Sequence, residues 1–162
     1  LLDLQTHLLS IALNTFGKAA ITHSRIRDIR GGSEDDVLLH LTHDSGVDSY
    51  LAASAVSGAP GPRVRLLGSK GALVINELDP QEDALRAGEI PHGGAWSRPM
   101  TNAALIHRGE EAFPVESVSG NYAAFYSLVK AAIENGSAAP VSLADALRVA
   151  EIIEEARAIS VR

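Results

Sequence analysis

One pair of side chains in this sequence has the types and the spacing for proton transfer. Asp3 and His7 stand four residues apart, so on a helix they are neighbours on one face. A carboxylate beside an imidazole fixes its tautomer and favours its protonated form, the arrangement used for general acid–base chemistry. Such pairs also occur idly on solvated helices, but the remainder of this segment is apolar. Leu1, Leu4, Leu8 and Ile11 form one helical stripe, and Leu2, Leu9, Leu13 and Phe16 form another. The single polar line left between them carries Asp3, His7, Ser10 and Asn14. That line is expected to face a cleft or a polar core network.

Other chemistry-bearing residues are less organised. His40 and His43 are three apart on a predicted strand, point to opposite faces and cannot readily share a metal. His23 reads as a strand residue near an edge, and His92 and His107 have no assigned partner. With no HExxH or other zinc spacing and no cysteine, no metal site is expected. Gly68-Ser69-Lys70-Gly71 reads as a tight hairpin turn. A phosphate loop would have to open a helix, and here a strand follows. No GxGxxG is present, so the chain offers no dinucleotide site of its own. Trp96, beside Arg98 in a Gly/Pro-rich loop, reads either as a ligand-facing aromatic or as an anchor for that loop.

The elements that must position these residues follow from periodicity. A helix over 1–16 stops at Gly17. Strand patterns follow over 19–30, 37–43, 47–57, 63–67 and 72–75, divided by Gly31-Gly32, Asp44-Ser45-Gly46 and the Gly58-to-Pro62 breaker. Connections this short favour antiparallel neighbours. Residues 77–101 read as a long loop, 103–108 as one more strand. Two closing helices follow. The first has an apolar face of Tyr122, Phe125, Tyr126, Val129, Ala132 and Ile133, the second one of Leu143, Ala146, Leu147, Ala150, Ile153 and Ala156. Ser142 with Asp145 makes a weakened capping box for the second. The fold class predicted is α+β: an open, mostly antiparallel mixed sheet with helices packed on one face. Its open face, with small and polar side chains on the middle strands, suits another domain or a second subunit.

Composition bounds the rest. The 162 residues suffice for one domain with a core, and 46% hydrophobic with 21% charged residues excludes disorder. A net charge of −6 argues against a general nucleic-acid platform, and no apolar run is long enough to span a membrane. The only methionine is Met100 and the sequence opens inside a helix pattern with no signal-peptide features, which predicts a cytoplasmic fragment of a longer chain.

Taken in order, these pieces resemble the C-terminal domain of the Gfo/Idh/MocA (glucose–fructose oxidoreductase, inositol dehydrogenase and MocA) family across essentially the whole chain. Leu2-Asp3-Leu4-Gln5-Thr6-His7-Leu8-Leu9 resembles its helix with an Asp and a His four apart. Residues Arg63 to Leu73 resemble the strands around its Gly-Thr-x-Gly turn. Gly120 to Tyr126, Pro140 to Ala146 and Ile152 to Ser160 resemble its closing helices. The resemblance implies a single C-terminal substrate-binding and oligomerisation domain of an NAD(P)-dependent dehydrogenase acting on a sugar, polyol or related hydroxylated substrate. The cofactor, NAD or NADP, would be held by an N-terminal Rossmann domain absent from this chain, leaving the fragment without cofactor and inactive alone. His7 matches the family's proton relay and Asp3 its acidic companion. Gln5 and Ser10 stand where the family often has Gly and Asp, which implies altered substrate contacts there. The implied partners are the substrate, the chain's own Rossmann domain and further copies joined through the open sheet face. Non-catalytic metabolite binding and a dimerisation module are the alternatives.

Overall fold

A computed structural model describes residues 2–59 (side chains from Gln5 onward), 61–76, 81–90, 96, 104–116 and 118–160. In order, its elements are α1 (Leu2–Phe16), β1 (Ala19–Arg27), β2 (Asp36–His43), β3 (Asp48–Ser54), β4 (Val64–Gly68), β5 (Gly71–Ile75), α2 (Gln81–Arg86), β6 (Ala104–Arg108), β7 (Glu111–Val115), α3 (Tyr122–Asn135) and α4 (Leu143–Ile159). They fall into two compact units, Leu1–Gly58 with Val141–Arg162, and Ala59–Pro140.

The first unit is a three-stranded antiparallel meander, β1-β2-β3, with α1 and α4 on one face. Strand alternation sends Val37, Leu39, Leu41 and Leu51 to the inner face, where they meet Leu9 and Ala12 of α1 and Val149, Ile152, Ile153 and Ala156 of α4. Each buried leucine or isoleucine contributes roughly 1.5–3 kcal/mol of transfer free energy. The helix α1 stops where Gly17 takes a φ of 81° and its amide donates to the Leu13 carbonyl at 2.9 Å. The helix α4 begins at Ser142, whose Oγ accepts from the Asp145 amide at 3.0 Å and donates to its carboxylate at 2.6 Å. Both halves of α4 are then pinned along the free edge of β1. Arg148 Nη2 donates to the Ala19 carbonyl at 2.8 Å, and Ser160 Oγ accepts from the Ile26 amide at 3.1 Å.

A buried carboxylate organises the β1–β2 connection. Asp35 accepts from the Ile29 amide at 2.8 Å, the Arg30 amide at 3.1 Å and Arg30 Nε at 3.0 Å. The Ile29 amide above all, aided by the Arg30 amide and guanidinium against the opposing effect of burial, holds its carboxyl below the ordinary carboxylate range.

The second unit holds the four-stranded antiparallel sheet β4-β5-β6-β7. The turn between β4 and β5 is the expected Gly68–Gly71 hairpin, with Gly68 opposite Gly71. Gly71 has a φ of 154°, and a Cβ there would lie 2.5 Å from the His107 carbonyl oxygen of β6. Only glycine lets the central strands approach this closely.

The expected α+β class with open, antiparallel strands is observed, the described strands forming two sheets in which every pair is antiparallel. The helices and strands remain segregated, an α+β arrangement. Some details differ from expectation. The long loop contains the short helix α2. The strand β7 was hidden by Pro114, which sits harmlessly on an edge strand. On α4 the buried line is Val149, Ile152, Ile153 and Ala156, while Leu143 and Leu147 of the expected face are exposed. Of the expected inward face of α3, Val129 and Ala132 are half-buried, while Tyr122, Phe125, Tyr126 and Ile133 are exposed.

Two outcomes follow from this packing. Gly71→Ala should cost roughly 1–3 kcal/mol through the carbonyl clash, more than Gly109→Ala, where the added Cβ meets nothing; denaturant midpoints compare them. Asp35 has a folded pKa below its unfolded value near 3.9, so its contribution is present above about pH 4 and lost as pH falls through the folded value. Asp35→Asn should lower stability at neutral pH and flatten the acid limb of the stability–pH curve. An unaltered acid limb would contradict this assignment.

Candidate functional site

The helix α1 owes its orientation to one buried amide as well as to its leucines. Gln5 is fully buried, and its Nε2 donates to the Leu51 carbonyl of β3 at 3.4 Å. Its Oε1 has no partner among the described residues. Gln5 is two residues from His7, roughly 200° around a helix, so anchoring Gln5 inward turns His7 outward. The structure accordingly places Gln5, expected at the substrate, in the contact between α1 and β3.

On the outward side lie His7, Ser10 and Asn14, all exposed, together with Ile11. The polar line read from the sequence is thus an accessible surface of the helix. Ser10 Oγ donates to the Thr6 carbonyl one turn back at 2.8 Å, which leaves its oxygen as an acceptor facing out. Asp3 belongs to the same helix one turn before His7; its side chain lies outside the described residues. An accessible imidazole one turn from a carboxylate-bearing residue, on a rigidly seated helix, is suited to taking and returning a hydroxyl proton.

The remaining histidines have structural settings. His43 lies on the inner face, where its Nδ1 donates to the Gly17 carbonyl at 2.9 Å. That carbonyl can only accept, so Nδ1 carries the proton. Nε2 is 2.9 Å from Ser49 Oγ, and the Phe16 ring meets the imidazole edge-on at 5.5 Å. His40 is on the opposite face, stacked on Tyr50 with centroids 4.4 Å apart. Its Nε2 donates to Asp48 Oδ1 at 3.0 Å, and the Thr22 hydroxyl sits 2.9 Å from its Nδ1. The Thr42 hydroxyl first, then the His40 imidazole, hold the Asp48 carboxyl below its ordinary range. His23 is exposed on the edge strand β1, and His107 is half-buried on β6. No group of three His, Asp or Glu able to hold a metal occurs among the described residues, and no helix there is long and apolar enough to cross a membrane.

The second unit holds a feature that sequence reasoning missed. An open cavity of about 550 Å³ is lined by Gly120, Asn121, Tyr122, Phe125 and Tyr126. Asn121 Oδ1 caps α3 by accepting from the Ala124 amide at 3.0 Å. The buried Gln81 of α2 donates through Nε2 to the Gly120 carbonyl, and its Oε1 accepts from the Tyr122 amide at 3.2 Å. Amphipathicity pointed to these aromatics, but placed them inward. Trp96 is half-buried within the second unit; Arg98 and His92 lie outside the described residues.

Comparison with known proteins agrees with this architecture. Residues 1–159 match the family described as "Oxidoreductase family, C-terminal alpha/beta domain" of the Gfo/Idh/MocA proteins. The chain belongs to that family. It is 28% identical over 162 residues to scyllo-inositol 2-dehydrogenase (NADP(+)) IolW of Bacillus subtilis, covering 96% of this chain and 45% of IolW. It is 30% identical over 161 residues to the uncharacterized oxidoreductase YdgJ of Escherichia coli, covering 94% of this chain and 45% of YdgJ. The solved structure of yvaA from Bacillus subtilis superimposes with a TM-score of 0.83 at 28% identity, over 98% of this chain and 47% of that one. The chain thus spans a little under half the length of these relatives.

The two kinds of histidine should separate in stability measurements. His43→Ala strands the Gly17 carbonyl and the Ser49 hydroxyl and should cost about 1–3 kcal/mol, whereas the exposed His7→Ala should stay within about 0.5 kcal/mol of the parent. Chemical denaturation of the two variants checks this.

Proposed function

We propose that this chain is the substrate-binding half of an NAD(P)-dependent oxidoreductase acting on a sugar, polyol or related hydroxylated substrate. The observation that carries the reading is a family match over 1–159 on a chain whose first helix presents His7 outward. The relative IolW, a scyllo-inositol 2-dehydrogenase (NADP(+)), supports a polyol substrate and a nicotinamide cofactor. In this reading His7 takes the O–H proton of a substrate hydroxyl as that alcohol becomes a carbonyl; a nicotinamide held by the other domain would supply the acceptor for the hydride of the carbon bearing that hydroxyl. Asp3, one turn earlier, orients the imidazole and balances its positive charge. Ser10 offers its oxygen to a substrate hydroxyl, and Trp96 is a further candidate contact. NAD or NADP is bound by an N-terminal Rossmann domain, which supplies the hydride acceptor and is this chain's first partner.

Further copies associate through the outer face of the β1-β2-β3 sheet, where Leu38, Tyr50 and the His40–Asp48 pair are presented. A soluble cytoplasmic protein is the setting this chemistry suits.

The test uses the full-length protein. Inositols, sugars and other polyols should reduce NAD or NADP, and His7→Ala should lower kcat by about 10²–10⁴-fold with the cofactor still bound. Undiminished turnover in that variant would remove the proton relay from His7.

A further inference from the structure

The buried seam of α1 runs through Gln5, Leu9 and Ala12, at i, i+4 and i+7, and Gln5 is its one polar member. The amide is poorly served there. Its Nε2 donates to the Leu51 carbonyl over 3.4 Å, and its Oε1 has no partner among the described residues. A buried amide in this setting costs free energy that an apolar side chain of the same length would not. What the amide supplies is direction. Apolar contacts, such as those of Leu9, are non-directional and tolerate a helix that turns or slides. A hydrogen bond to a fixed acceptor does not. Leu51 is such an acceptor, standing opposite Leu39 in the β2–β3 ladder with its side chain in the same core as Leu9. One buried polar group that fixes register at a cost in stability is an attested device between packed helices.

We infer that Gln5 is a positioning residue for the proton transfer at His7, holding the rotation of α1 from its buried side; the inference rests on the functional reading above. With 0% of its surface exposed, Gln5 acts through the helix and not on a substrate. The lever is short. Gln5 and His7 lie within one turn on roughly opposite sides of α1, so looseness at position 5 reaches the imidazole undiminished. A side chain about 6 Å from the helix axis moves roughly 1 Å when the helix turns by about 10°. The tolerance of a reacting group is about 0.5 Å, and a misplacement of about 1 Å can cost on the order of 10²-fold in rate. Leu9 and Ala12 keep the seam apolar without the amide, so its loss leaves the helix buried but free to turn. The amide therefore bears on kcat, while contacts that set KM come from the outward side.

The test is made in the full-length protein with Gln5→Met, which keeps the length of the side chain and removes the amide, and Gln5→Leu as a second apolar variant. Thr15→Ala, exposed in the last turn of α1, is the control. With inositols as substrates, kcat should fall about 10–10²-fold in both apolar variants, with KM within about twofold of the parent and the denaturation midpoint no lower. The control should keep the parental kcat. A raised KM with parental kcat overturns the inference and makes Gln5 a substrate contact. Parental kcat and KM together overturn it as well, whatever the midpoint does, and leave the amide a purely structural role. Failure of the functional reading is seen separately, as a parent that oxidises no polyol or a His7→Ala variant with undiminished turnover. The NMR resonances of the His7 ring then decide for Gln5. Moved in Gln5→Met and unmoved in Thr15→Ala, they uphold its hold on the helix; unmoved in both, they overturn it.

Discussion

A three-stranded sheet with one bare face buries too little to fold alone, and the contact that resolves this in the first unit joins the two ends of the chain. The inner face of β1, β2 and β3 is closed by α1 from the beginning of the sequence and α4 from its end. Neither helix covers that face singly. Leu9 and Ala12 cover one part of it, and Val149, Ile152, Ile153 and Ala156 another. Everything between β3 and α4 is therefore an excursion whose ends the core must hold together, an entropic cost that rises only slowly with the length of the loop closed. The Arg148 and Ser160 hydrogen bonds along β1 add direction to a contact that apolar burial alone would leave free to slide.

The candidate site depends on that closure. An exposed histidine on a free helix would be a solvated side chain without fixed geometry. Here Gln5 and Leu9 lock the opposite side of α1 against β3 and the core, so the direction in which His7 points is set from the far side of the helix. Positioning of a reacting group to within about half an ångström calls for this kind of support. The same division is visible among the histidines. Both nitrogens of the buried His43 have partners inside the unit, and His40 is tied to Asp48 and Thr22 on the outer face. His7 stands out on the exposed face of α1.

The second unit follows another logic. Its sheet carries one buried apolar residue among the described positions, Ala104, and α3 carries none.

Much of this was readable from residue order because it depends on local periodicity. The limits of α1, the β4–β5 hairpin and the Ser142 cap need only neighbours along the chain, and the period that left a polar line on α1 is the one that exposes His7, Ser10 and Asn14. The family, too, could be read from the order of short motifs. Local pattern failed wherever the answer depended on what lies opposite. Leu143 and Leu147 have the spacing of a buried face, but the first turns of α4 leave them exposed. Tyr122, Phe125 and Tyr126 likewise form a correct amphipathic stripe whose side toward the core cannot be chosen without the other elements. Gln5 was expected at the substrate from the family resemblance alone, and only its enclosure against β3 shows it as an anchor of the helix. Sequence by itself determined which residues share a face, because that is helical and strand geometry. Only the tertiary structure decided which face turned inward, because burial is a property of pairs of surfaces and not of either one alone.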